Sequence, residues 1–375
     1  MQFEIATTLE TVPAAEWDAL VEDDNPFARH AFLVALERHG AVGEAFGWWP
    51  RYLLARDGGR LVGAVPLYLK DNSYGELVFD WSWAEAYERA GLAYYPKLVA
   101  AIPYTPATGR RLLTDNETVA RALIDAAVDH ARDLGVSSLH WLFTDARDTA
   151  LLGAHPEHDL RLGVQFHWHD AGYADFDAYL GALTASKRKK IRQERRRVRE
   201  QGIELLRLHG DEVSDEQWSL WHRFYTSTFD RKWGHATLSE GFFREIGRTM
   251  PRNVLLVLAR HAGETVAGAF CLRGRHTLYG RHWGCTRRLD QLHFEACYYQ
   301  GLEYCLEQGL TRFEPGAQGE HKIARGFLPA RTWSAHWIAD PQWREIIGRF
   351  LEQERGAMTD YIEELSDHSP FRQCR

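Results

Sequence analysis

A chain of 375 residues is long for a single hydrophobic core and predicts two domains. Apolar residues at 45% beside charged residues at 26% exclude a disordered or fibrous protein, and a formal charge of -7 argues against one that coats nucleic acid while allowing a local basic patch. No apolar run approaches the roughly 20 residues of a bilayer span, and the start MQFEIATTLE lacks the basic and then apolar pattern of a signal peptide. The expected location is therefore the cytoplasm, where Cys271, Cys285, Cys297, Cys305 and Cys374, without C-x-x-C spacing, are reduced thiols.

In chain order, the first strong signal is RYLLARDGGRLVGAVPLYL, Arg51 to Leu69. Two apolar runs around a glycine-bearing turn predict a β-hairpin. A strand-like run with Tyr74-Gly75 follows, and then an aromatic, proline-bearing insert over about 81–110. Pro103, Pro106 and Gly109 flank Tyr104 and Thr105 there, which predicts a constrained loop and makes Tyr104 a candidate groove residue; the simpler reading is a cap over the core. ETVARALIDAAVDHARDLG is a helix, with Asn116 as N-cap and Gly135 past its end, and VSSLHWLF a strand. A domain boundary is expected near Gly163 to His167, giving domains 1–165 and 166–375.

The second domain opens on QFHWHD, where His167 and His169 share one side of a strand with Asp170 nearby. A third metal ligand at credible spacing is not visible, so no metal is expected and a structural strand is the favoured reading. From Ser186, taken as an N-cap, a helix runs through 187–200; between Lys187 and Arg199 it holds nine basic residues and one acid, with Ile191 and Val198 on one face. A solvated surface helix is the ordinary outcome of a charge run. Here the imbalance exceeds what pairing within the helix neutralises, so Lys187, Arg188, Lys189 and Arg192 are equally candidates for binding tRNA phosphates or a nucleotide pyrophosphate.

A second hairpin, VLLVLARHAGETVAGAFCLRG, then repeats the first: Leu54, Ala55, Arg56 and Gly59 align with Leu258, Ala259, Arg260 and Gly263. The strand TLYGRHWGC follows, with Tyr279, Arg281 and Trp283 expected on one face and His282 on the other. Tyr279 and His282 are secondary candidates. HFEACYYQGLEYCLEQG is a helix closed by Gly309, and LTRFEP a strand. Hairpin, strand, helix, strand therefore occurs twice.

That order resembles the core of the Gcn5-related acyltransferase fold, so the expected class is mixed α/β: two tandem N-acetyltransferase-like domains, each a largely antiparallel mixed sheet flanked by helices. QFHWHDAGYADFDAYLGALTASKRKKIRQERR and HFEACYYQGLEYCLEQGLTRFEPGAQGEHKIARGF further resemble the FemAB-like predicted N-acyltransferases, which are similar to the Fem-type peptidoglycan aminoacyltransferases. The resemblance spans nearly the whole chain and implies transfer of an activated acyl group to an amine.

No cofactor is firmly implied beyond the acyl donor. The glycine-spaced turn with which acyl-CoA enzymes of this fold cradle a pyrophosphate is missing before both helices, which leans the donor from acyl-CoA toward aminoacyl-tRNA. The stretch FEPGAQGEHKIARGF follows the last core strand of the second copy. Transfer to an amine needs a base and donors to the tetrahedral oxyanion. Glu320 or His321 supplies the base, Lys322 and the amides near Gly316 and Gly319 the donors, and Gln318, Gly319 and Arg325 contact substrate. The alternative is a polar turn in which Glu320 pairs with Lys322. Two further readings stay open: a catalytically silent binder of RNA or a phosphorylated ligand, and an acyl-CoA enzyme with an unrecognised phosphate site. The acceptor is an amine of a peptide, cell-wall precursor or small molecule.

Overall fold

The two runs that share Ala-Arg and a glycine turn fold as hairpins of the same build. In this computed structural model, which describes residues 1–21, 24–230, 235–317 and 319–372, the chain divides into two compact units. One comprises Met1–Val164 with Arg331–Tyr361, the other Gln165–Ala330 with Ile362–Arg375. The second domain read from sequence as 166–375 is thus interrupted, because 331–361 packs with the first unit.

Strands in the first unit are β1 (Gln2–Ala6), β2 (Trp48–Pro50), β3 (Tyr52–Asp57), β4 (Arg60–Val65), β5 (Leu67–Lys70), β6 (Lys97–Ala100) and β7 (Ser138–Thr144). Those of the second are the end of β8 (Asp159–His169), β9 (Ile203–His209), β10 (Val254–His261), β11 (Glu264–Arg273), β12 (Thr277–Cys285) and β13 (Arg312–Glu314), after which β14 (Leu328–Ile338) returns to pair with β7. The first unit orders them β1-β3-β4 and β2-β5-β6-β7-β14, the second β8-β13-β12-β11-β10-β9. Among the pairings with a described register, only β6 with β7 and β12 with β13 are parallel.

The repeat extends to hydrogen-bond register. In β3/β4 the ladder shifts between Ala55 and Arg56, and in β10/β11 between Ala259 and Arg260, the aligned pair. Both turns place two residues at positive φ, Gly58 and Gly59 at 54° and 83° and Ala262 and Gly263 at 51° and 82°, the geometry that suits the right-handed twist of a two-residue hairpin.

The helices also correspond. Glu117–Leu134 starts on Asn116, whose side chain accepts from Thr118 N and Val119 N, and ends on left-handed Gly135. Its buried Leu123, Ile124, Ala127 and Val128 pack with Leu98, Leu139 and Trp141 of the sheet. The counterpart runs from Leu292 to Gln308, ending on left-handed Gly309, and contains a π-helical turn, Glu295–Tyr299, that the apolar pattern did not signal.

One expectation fails. Tyr74-Gly75 is not the strand equivalent to Tyr279-Gly280: Tyr74 lies 70% exposed in a loop. The equivalent of β12 is β6, since each pairs antiparallel with the strand before it and parallel with the strand after the helix. The insert therefore begins at Asp71, directly after β5. Its helix Trp81–Arg89 turns Trp83 and Tyr87 onto Ile338, Ile347 and Leu351, which is the work of a core cap.

Candidate functional site

The turn that follows β13 is pinned at both ends. Phe313 and Phe327 are fully buried and their rings meet edge to face, 5.4 Å between centroids. Between them Glu320–Arg325 forms a 3-10 helix, flanked by Gly319 at φ 116° and Gly326 at φ 86°. Gly319 is required there by its left-handed φ, and the His321 ring lies close over it, since a Cβ would stand 2.4 Å from Cε1 of His321.

A buried ionic network fixes the turn. Arg325 donates from Nε to the Tyr299 hydroxyl (3.0 Å), from Nη1 to the His321 carbonyl (2.9 Å) and from Nη2 to Glu194 Oε1 (2.8 Å), while its guanidinium lies 3.5 Å from the Phe294 ring centroid. Tyr299 closes the triangle by donating to Glu194. Glu194 is the one acid between Lys187 and Arg199, and it shares the buried face with Ile191 and Val198. Next to it Arg195 donates to Glu295 at 2.9 and 3.1 Å and to Glu303 at 2.6 and 3.0 Å, and Gln300 donates to Glu295 at 2.8 Å. Arg325, expected to hold a substrate anion, is only 4% exposed and uses its planar fork on the protein. Breaking such a pair strands a buried charge.

Three candidate groups stand on the turn. Lys322 is buried and donates from Nζ to the Gly316 carbonyl at 2.7 Å; burial pushes its ammonium down to about 8. The Glu320–Lys322 surface pair offered by the simpler reading is therefore not how Lys322 is held. His321 is exposed at the surface, with Nε2 2.9 Å from the Tyr298 hydroxyl, and partial burial of the ring together with Arg325 and Lys322 pushes its pKa down, toward the neutral imidazole. Glu320 is exposed beside it. Gln318 lies outside the described residues. Tyr298, Tyr299 and Glu194 carried no signal in sequence; the π-turn that holds both tyrosines is a feature frequent at functional sites and invisible to a 3.6-residue pattern.

The basic helix is Ala185–Glu200, with Thr184 and not Ser186 at its N-cap position. Lys189, Lys190, Arg192, Arg196, Arg197 and Arg199 are exposed, and Lys187 and Arg188 half-buried. Arg192 reaches Asp177 at 3.2 Å, Arg196 reaches Glu200 at 3.4 Å, and Arg197 reaches Asp290 at 3.4 Å. Arg188 turns back on the carbonyls of Leu183 and Gly181 at 3.4 and 3.5 Å. Lys189, Arg192, Arg196 and Arg199 stand at i, i+3, i+7 and i+10, one stripe about 15 Å long at 1.5 Å per residue.

The remaining candidates fall elsewhere. A bulge between Phe270 and Cys271 leaves Arg281 as the extra residue of β12, pairing Tyr279 with Leu272 and His282 with Phe270. Tyr279 and His282 therefore share a face, against the expected alternation, because one inserted residue reverses strand parity. His282 is half-buried and packs on Tyr225, ring centroids 4.9 Å apart, and burial followed by Arg281 pushes its pKa far down, toward the neutral imidazole. Tyr104, in the first unit, holds φ 58° and donates to the Ala41 carbonyl at 2.7 Å, packed on Trp48. His167 is buried with Nε2 3.1 Å from Gln165, and its ring centroid lies 6.4 Å from that of His169. No helix of the described residues is long and apolar enough to cross a membrane.

No curated protein matches the sequence. Among solved structures the chain is similar to FemX, at 12% identity over 93% of this chain and 100% of that one with TM-score 0.55. It is similar to L-PGS from Bacillus licheniformis, at 12% identity over 90% and 97% with TM-score 0.56, and to the C-terminal domain of a putative lysylphosphatidylglycerol synthetase from Agrobacterium fabrum, at 10% identity over 90% and 95% with TM-score 0.55. At these identities the likeness is one of fold, and it agrees with the tandem, mixed α/β acyltransferase-like arrangement expected from the repeat. The FemAB-like family model, described as peptidoglycan biosynthesis/recognition, matches residues 8–373, and the chain belongs to that family.

Proposed function

We propose that this chain is an N-acyltransferase whose second unit carries the reacting groups, moving an activated acyl or aminoacyl group to an amine of a peptide, cell-wall precursor or small molecule. The observation that carries the reading is the turn Glu320–Arg325: a buried ammonium, an imidazole and a carboxylate on six residues clamped between two buried phenylalanines. In the reaction the amine nitrogen bonds the carbonyl carbon and the bond from that carbon to the leaving group breaks. The proton lost by nitrogen passes through a base to the leaving group. Glu320 or His321 takes that proton, and Lys322, charged below about 8, faces the developing oxyanion with the loop amides.

Aminoacyl-tRNA is favoured over acyl-CoA as donor on two grounds. The helix starting at Leu292 begins with its Leu292 amide already bonded to the Leu289 carbonyl, and it buries a carboxylate, Glu295, in its first turns. A pyrophosphate site at a helix start uses free amides and positive potential. The exposed stripe of the basic helix supplies cations for a polyanion instead, and a cytoplasmic location goes with such a donor.

The test supplies purified protein with labelled acetyl-CoA and, separately, charged tRNA, together with an amine mixture. Loss of label from charged tRNA to an amine, abolished in Glu320→Ala or His321→Ala while both variants stay folded, is the expected result. Full activity in both variants would sink the site; acyl loss from acetyl-CoA alone would restore that donor; salt-dependent RNA binding without turnover would favour a silent binder.

A further inference from the structure

His321 and Tyr298 are a pair whose proton arrangement can be worked out. Nε2 of His321 and the Tyr298 hydroxyl lie 2.9 Å apart, and among the described residues that is the only hydrogen-bond partner of either side-chain group. The Tyr298 ring is held by Phe327 at 5.5 Å and Phe294 at 6.0 Å, and the residue is 3% exposed. The His321 ring is 5.9 Å from Phe294, and its Cε1 and Nδ1 edge faces Gly319, where a Cβ would come within 2.4 and 2.7 Å.

Two arrangements are available to a neutral imidazole. If Nε2 carries the proton and donates to the tyrosine oxygen, the phenolic proton is left in a buried place with no acceptor among the described residues, and a buried donor without a partner is costly. If the phenol donates to an unprotonated Nε2, both groups are satisfied and the ring proton sits on Nδ1, on the edge that faces Gly319. The groups around the ring keep it neutral: Lys322 and Arg325 of its own turn are cationic, and His293 of the facing helix is itself pushed down to about 4 by burial and then by His321. Burial raises the Tyr298 hydroxyl, so it keeps the proton it donates.

We infer that Tyr298 is a positioning residue that donates to Nε2 of His321 and holds the ring as its Nδ1–H form, so that His321 acts as a hydrogen-bond donor and Glu320 becomes the base. The inference rests on the acyl-transfer reading for its consequence and stands on geometry alone for the tautomer. In the transfer step Nδ1–H then donates to the oxyanion beside Lys322 without losing its proton, and the proton of the attacking amine goes to the Glu320 carboxylate and from there to the leaving group.

Nitrogen-15 spectra of histidine-labelled full-length protein decide the tautomer without any substrate, with His321 identified by the signal lost in His321→Asn. An unprotonated Nε2 and protonated Nδ1 are expected at neutral pH, and Tyr298→Phe should move His321 toward the Nε2–H form that free imidazole prefers. A protonated Nε2 in the unaltered protein, or an unchanged spectrum in Tyr298→Phe, overturns the inference. Activity separates donor from base. The asparagine amide nitrogen replaces Nδ1 and the glutamine amide nitrogen replaces Nε2, so His321→Asn should keep transfer roughly tenfold or more above His321→Gln; equal loss in both overturns the donor role. A protein silent toward every donor overturns the reading of function, while the spectra still decide the tautomer.

Discussion

After β7 the first unit runs into Ala146–Gly153, a helix capped by Asp145, and after β13 the second runs into the turn Glu320–Arg325. The two segments hold the same place in the repeat. In the first, the charged group is Asp148, fully buried, with Oδ2 accepting from the amides of Arg111 and Leu112 at 2.6 and 2.8 Å. It closes a corner of the fold. In the second, Lys322 is held by one carbonyl while His321 and Glu320 reach the surface. Equivalent positions in a duplicated fold have been put to different ends, one tied into backbone and the other left with side-chain groups able to meet a substrate.

The largest effect should come from the network behind the second corner. Glu194→Ala leaves the Arg325 guanidinium buried without its carboxylate and should cost about 3–5 kcal/mol in a urea titration. Removing the exposed partner of Arg196 with Glu200→Ala should cost well under about 1 kcal/mol. Equal midpoints for the two variants would show that Glu194 does not brace the turn.

Next comes Lys322→Ala, which removes the proposed donor to the oxyanion and should slow transfer about 100- to 1,000-fold, while Asp148→Asn leaves transfer unchanged. Because the ammonium is the useful form and its pKa lies at about 8, wild-type turnover should fall as pH rises through that value. Comparable loss of transfer in Asp148→Asn would erase the contrast between the corners.

Asp148 should instead show itself in stability. Burial, and after it Asp145, raises its carboxyl to about 7 despite the two amides. The folded state thus holds a proton that the unfolded chain gives up near the usual 3.8, so this stabilisation is complete below about pH 4 and is lost as pH rises to about 7. Thermal unfolding between pH 4.5 and 8 should show a downward slope from this group, on the order of 1–3 kcal/mol, that Asp148→Asn lacks.

Much of this contrast was legible in sequence. The repeat of Ala-Arg and glycine located both hairpins, helices and corners, because turn chemistry and helix ends are local. Arg325 was read as a substrate ligand because its partner, Glu194, lies 131 positions away and looked like the odd acid in a basic run. His282 was put on the wrong strand face because a bulge has no local signature, and Tyr298 was passed over because the π-turn breaks the helical period. What sequence missed is long-range pairing and irregularity of register; what it found is periodic or adjacent.

The basic helix carries the same contrast on a single element and yields the smallest expected effect. Its inward cations are spoken for, as Arg195 bonds Glu295 and Glu303, whereas Lys189 and Arg199 face outward with no ion pair among the described residues. Neutralising both outward residues to glutamine should leave thermal stability within about 0.5 kcal/mol, since neither touches the core. If they meet RNA phosphates, each removed contact should flatten the dependence of log affinity on log salt by about 0.7 to 0.9, so the double variant should bind unacylated tRNA with a slope lower by roughly 1.4 to 1.8. Fluorescence titrations at several salt concentrations measure it. An unchanged slope would make the stripe an ordinary solvated face and return the donor question to acyl-CoA, whereas a reduced slope with unchanged stability assigns the outer face to the polyanion and the inner face to the fold.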